Sequence, residues 1–149
     1  AGAQGGHLGG LFGGETAATT KGFVMEFIHA PKACASVGPY SHCVKAGSTY
    51  YLCGQVPFHP VTGEVVGNGM KEQAVQTLAN MKAVLEAAGL AVTDIAKTTV
   101  FVTNMDDFAA FNEVYAAFMG EHRPARVCVE VSNIAHGCLL EMDAICFKE

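Results

Sequence analysis

The chain has 149 residues, of which half are hydrophobic and only 15% are charged, and its formal net charge is −5. That length gives one domain with a full core. The nine scattered Lys and Arg residues exclude a broad basic face for nucleic acid, and no apolar run approaches the roughly 18 residues that a membrane span needs. So few charges are sparse for a monomer's surface, which points to an exterior partly covered by further subunits.

Residues 1–22 hold eight of the seventeen glycines without periodicity and read as a flexible, low-complexity tail, native or appended. The tail lacks the arginines of a mitochondrial presequence and the continuous apolar core of a secretory signal. Residues 23–149 read as a single domain. Phe23 to Ile28 is a short strand candidate, followed by a loop from Pro31 to Pro39. His42 to Ala46 and Thr49 to Gln55 form a hairpin signal around Gly47-Ser48. His59 to Gly63 is turn chemistry.

Met70 to Ala88 reads as a helix, because Ala74, Leu78, Met81 and Leu85 recur on one face and Gly89 follows as a stop. Ala96 to Val102 is β-branched and strand-like. A second helix runs from about Asp106 to Met119, with Phe108, Phe111, Tyr115 and Phe118 as its apolar stripe and Gly120 at its end. Ala125 to Val131 is a strand, and after a loop through Gly137 the last strand covers Leu139 to Phe147. The order is β-ββ-α-β-α-ββ, an α+β sheet with two helices on one face.

Six cysteines occur without a Cys-x-x-Cys pair. Cys43, Cys53, Cys128 and Cys146 sit in apolar strand patterns, where Cys behaves as a small hydrophobe, so reduced thiols in a cytosol-like compartment are expected. His29 with Cys34, His42-Cys43 and His136-Gly-Cys138 have no zinc-site spacing; surface histidines and core thiols account for them. The glycine pairs of the tail carry no phosphate-loop sequel.

The residue that calls for chemistry is Arg126, one of only two arginines. Strand alternation puts Arg126, Cys128 and Glu130 on one face and Ala125, Val127, Val129 and Val131 on the other. A guanidinium inside a strand that otherwise resembles core must meet a carboxylate, either from the protein or from a ligand. Glu141 and Asp143 share a face of the last strand and are the internal candidates. A tight hairpin near Ala135-His136 would set Glu141 opposite Glu130 and leave Arg126 nearer Ile145, so both readings stay open. Cys128 beside Arg126 reads either as an activated thiolate or as a small residue lining a pocket.

The runs Gly38-Pro-Tyr-Ser41, Cys53-Gly-Gln55, Asp107-Phe-Ala-Ala-Phe-Asn112, Pro124-Ala-Arg-Val-Cys128 and Leu140-Glu-Met142 are in register with one family. Over about Phe23 to Phe147 the chain resembles the RidA family, also called YjgF or the L-PSP endoribonuclease family. The resemblance implies a chorismate-mutase-like α+β protomer, assembled as a homotrimer with its sites in clefts between subunits. It also implies hydrolysis of reactive enamines and imines, such as 2-aminoacrylate and 2-iminopropanoate, to 2-oxo acids and ammonia. Arg126 matches the arginine that grips the imino acid's carboxylate, and Glu141 the acid that orients or activates water. Tyr40, Cys53, Gly54, Asn112 and Cys128 match residues lining the pocket. No metal or organic cofactor is implied. Cys53 stands where many members have Ser, and a thiol is larger and a weaker donor. Two competing readings are an endoribonuclease or translation inhibitor, which the acidic balance opposes, and a trimer that binds carboxylates or acts as a chaperone without catalysis.

Overall fold

The computed structural model describes residues 24–149. The tail and the start of the first strand at Phe23 therefore lie outside the described residues. The elements run β1 (Met25–Ile28), β2 (Cys43–Ala46), β3 (Thr49–Gln55), α1 (Met70–Ala87), β4 (Ile95–Val102), α2 (Phe108–Met119), β5 (Ala125–Glu130) and β6 (Leu140–Phe147). This is the expected order, with boundaries shifted by a residue or two. Before α2 the chain makes a short 3-10 turn, Met105–Asp107, capped by the Asn104 side chain, which accepts from the Asp106 N–H at 2.9 Å.

The six strands form one sheet in the order β1-β2-β3-β6-β4-β5. All neighbours are antiparallel except β4 and β5, which run parallel with α2 as the crossover between them. The β2–β3 turn works because Gly47 supplies a φ of 62°, the left-handed geometry that tight hairpins require.

Two expectations about β5 are corrected. Its register partner is β4, and β6 lies between β3 and β4, so there is no tight hairpin joining β5 to β6. Residues 131–139 make a longer connection through the turn Ala135–Gly137, where His136 takes φ 56°. This span frees β6 to cross into the centre of the sheet, where both of its edges are paired. β5 is thus an edge strand rather than a core strand. Its valine face, with Val127 at 44% and Val129 at 41% exposure, is open in the protomer.

The core lies between the helices and one face of the sheet. α1 contributes Ala74, Leu78, Met81, Val84 and Leu85, and α2 contributes Phe111, Tyr115 and Met119. These meet Leu52, Val100, Val102, Leu140, Met142 and Ala144 from the strands. Each such large side chain taken from water favours folding by about 1.5–3 kcal/mol. Among the described residues no helix covers the opposite face of the sheet. Phe27, Tyr51, Val127, Val129 and Phe147 stand exposed there, a broad apolar surface.

Candidate active site

Arg126 is held on the helix side of the sheet. Its register partner on β4 is Thr98, which is fully buried and shares a 2.9 Å hydrogen bond with the Tyr115 hydroxyl of α2. From this position Arg126 Nη1 donates to Asn112 Oδ1 at 2.7 Å. Its guanidinium carbon lies 4.8 Å from the Tyr115 ring centre and 5.3 Å from that of Phe108. A cation over aromatic faces is stabilised while its N–H groups remain available. Asn112 sits one helical turn before Tyr115 on α2, so the same helix fixes both the ring and the amide that orient the fork.

Among the described residues no carboxylate pairs with Arg126; the ion pair present is Lys71–Glu113, at 2.8 Å on the surface. The internal salt bridge with Glu141 or Asp143 therefore does not form, and sheet geometry explains why. Arg126 aligns with Thr98 and, across β4, with Ala144, whereas Glu141 aligns with Phe101 and Asp143 with Thr99. Odd offsets along a strand face opposite ways, so both acids project from the other face. The guanidinium instead borders a cavity of about 430 Å³, shared with Asn112, Tyr115, Met119 and Arg123.

Glu141 belongs to a second cluster. β3 has an irregular register between Leu52 and Gln55, and Gly54 lies in that bulge. A Cβ added to Gly54 would come within 2.8 Å of Glu141 Oε2 and 3.0 Å of its carboxyl carbon. Only glycine lets the backbone and the carboxylate approach so closely. Burial, and secondarily the like charge of Asp143, push the Glu141 carboxyl above the ordinary carboxylate range. Glu141 borders a shallow cavity of about 260 Å³ with Phe101, Asn133 and Ile134. Tyr40, Cys53 and Gly54 line an adjoining crevice. Tyr40 is half exposed, and its hydroxyl accepts weakly from the Val37 N–H at 3.4 Å.

The thiols are free and protonated in character. All six cysteines are unbridged. Burial raises the Cys128 thiol although Arg126 pulls the other way, which disfavours a thiolate nucleophile, and the side chain packs against the core. Burial also raises Cys53, whose sulfur accepts from Gln55 Nε2 at 3.1 Å. The two thiols lie on opposite faces of the protomer. Among the described residues no three His, Cys, Asp or Glu side chains converge to hold a metal ion.

Two residues escaped the sequence reading. His42 is not a surface histidine: it is 2% exposed, its Nδ1 accepts from the Ala30 N–H at 3.0 Å, and its Nε2 donates to the Cys34 carbonyl at 2.8 Å. Both nitrogens are used to pin the loop that forms one wall of the Tyr40–Cys53 crevice. Arg123 joins Arg126 at the larger cavity, and nothing in the spacing Arg-Pro-Ala-Arg announces that both line one space.

The site residues therefore fall into two groups in one protomer. Arg126, Asn112 and Cys128 are on the helix side, and Tyr40, Cys53, Gly54 and Glu141 are on or beside the open side. Against known proteins, the family model described as Endoribonuclease L-PSP matches residues 29–148. A RutC family protein of Pyrococcus horikoshii is 48% identical over 126 residues, covering 85% of this chain and all of the relative. A protein of Escherichia coli K12 named 2-iminobutanoate/2-iminopropanoate deaminase is 45% identical over 124 residues, covering 81% of this chain and 96% of the relative. Among solved structures, E. coli TdcF with bound serine aligns at a TM-score of 0.79 and 41% identity, over 83% of this chain and 99% of that one. The YjgF gene product of E. coli aligns at 0.78 and 43%, over 83% and 99%. The arrangement of strands and helices, the register of the motifs and these likenesses together make the chain a member of the RidA/YjgF/L-PSP family.

Proposed function

We propose that the protein is a 2-iminobutanoate/2-iminopropanoate deaminase that works as a homotrimer, each site being completed by two protomers. The observation that carries this reading is Arg126: a half-buried fork, oriented by Asn112 and two aromatic rings, facing a cavity without an internal carboxylate. Such a group is suited to bidentate capture of a small acid. The deaminase relative at 45% identity supports the reaction, and the serine bound to TdcF supports a small α-substituted acid as ligand class.

In this reading Arg126 holds the carboxylate of the 2-imino acid. Glu141, from the open face of a neighbouring protomer, takes a proton from water as the water oxygen attacks the imine carbon. The proton passes to nitrogen, the C–N bond of the resulting carbinolamine breaks, and ammonia and the 2-oxo acid leave. A carboxyl with raised proton affinity is a better base for this step than an ordinary one. A protonated imine is already electrophilic, so positioning and electrostatics supply the remainder without a cofactor. The apolar open face favours assembly, because burial between copies removes Tyr51, Val127 and Val129 from water.

The test couples a threonine dehydratase to the purified protein and follows imine loss above the uncatalysed rate. Arg126→Ala should abolish the acceleration; retention of the full rate would refute the assignment. RNA cleavage by nuclease-free protein, lost in the same variant, would instead favour the endoribonuclease reading. The clustering of both arginines at one cavity, rather than along a basic stripe, speaks against that outcome.

A further inference from the structure

The chain has two arginines, and both line the same cavity of about 430 Å³. Among the described residues no acidic side chain borders that cavity, in a protein whose net charge is −5. Two cations placed together without counter-charges raise the local potential and favour an anion between them. Arg126 is oriented by Asn112 and two rings. Arg123 is anchored differently: its Nη1 donates to the Gly120 and His122 carbonyls at the end of α2. Those contacts tie down the cap residue Gly120 and the turn that follows the helix, a structural duty. They use one nitrogen of the fork, and among the described residues Nε and Nη2 have no acceptor. The cavity also lies within the ~300–1,000 Å³ range of drug-sized ligand sites, far more than a four-carbon imino acid fills.

We propose that Arg123 is a specificity-determining residue that extends the site to 2-imino acids carrying a second carboxylate. Arg126 would hold the carboxylate next to the imine, and Arg123 the distal one. This inference rests on the deaminase reading and names a substrate class for it. Such imines arise by oxidation of acidic amino acids at the α-carbon.

The experiment compares 2-oxoglutarate with 2-oxopentanoate, which share a five-carbon chain and differ by the distal carboxylate. Their dissociation constants are measured by calorimetry on the full chain. The wild type should favour 2-oxoglutarate by about tenfold, the scale of one partly exposed charge-assisted contact. Arg123→Ala should bring the ratio near one, Arg123→Lys should keep part of it, and added salt should shrink it. Equal affinities in the wild type, or a parallel loss for both acids in Arg123→Ala, would overturn the proposal, since a purely structural arginine moves both alike. Imines generated in parallel from glutamate and norvaline by an amino-acid oxidase separate the two readings. If neither is hydrolysed while the binding preference persists, the deaminase reading fails and the dicarboxylate site stands.

Discussion

The two faces of the sheet carry different kinds of information. The helix face is filled by Leu78, Met81, Phe111, Met142 and their neighbours, and it closes on itself within one protomer. The open face carries Tyr51, Val127, Val129 and Phe147, all exposed among the described residues. Arg126 emerges at the edge of the first face and Glu141 from the second. Stability is thus mostly an internal matter, whereas the two groups of the proposed chemistry project from opposite faces of the sheet in one chain. The separation predicts that catalysis depends on assembly and folding of the protomer does not.

The largest expected effect comes from dividing the two groups between chains. Arg126→Ala and Glu141→Ala should each be inactive. Unfolding and refolding an equal mixture should restore about a quarter of wild-type activity, since half the sites gain an intact Arg and half of those an intact Glu. No recovery would mean that both groups act from a single protomer.

The next effect contrasts the faces directly. Phe111→Ala should cost about 3–5 kcal/mol in denaturant unfolding, because it leaves a cavity in a closed core. Tyr51→Ala, on the open face, should lower Tm mainly at low protein concentration, as weakened association does. A concentration-independent loss in Tyr51→Ala equal to that of Phe111→Ala would remove the distinction.

Gly54→Ala tests the close approach within the open-face cluster. The added methyl must displace the Glu141 carboxylate, so kcat/KM should fall by about tenfold or more while the fold is kept. The smallest effect is Glu141→Gln on stability. The raised carboxyl means that the ionised form is disfavoured in the fold. Stability should therefore fall as pH rises from the unfolded pKa through the higher folded one. The amide variant should show a slightly higher Tm at neutral pH, and the difference should close in acid. Activity of the wild type should decline on the acid side at a pH above the ordinary carboxylate range, as Glu141 takes up its proton.

The sequence alone determined the elements and the identity of the unusual group. Alternation along β5 put Arg126, Cys128 and Glu130 on one face, the 3.6-residue stripe of α1 named its buried side, and five motifs in register gave the family. These signals are local, because side-chain direction follows directly from backbone period. Only the tertiary structure decided that β5 is an edge strand parallel to β4, that β6 runs through the middle of the sheet, and hence that Arg126 and Glu141 face opposite ways. Strand pairing between distant segments is set by which edges and faces the whole chain can satisfy at once, and a loop such as 131–139 leaves that choice open. His42 and Arg123 likewise show their roles only in the folded chain: His42 is a buried clamp on Ala30 and Cys34, and Arg123 is a second cation at the cavity that borders Arg126.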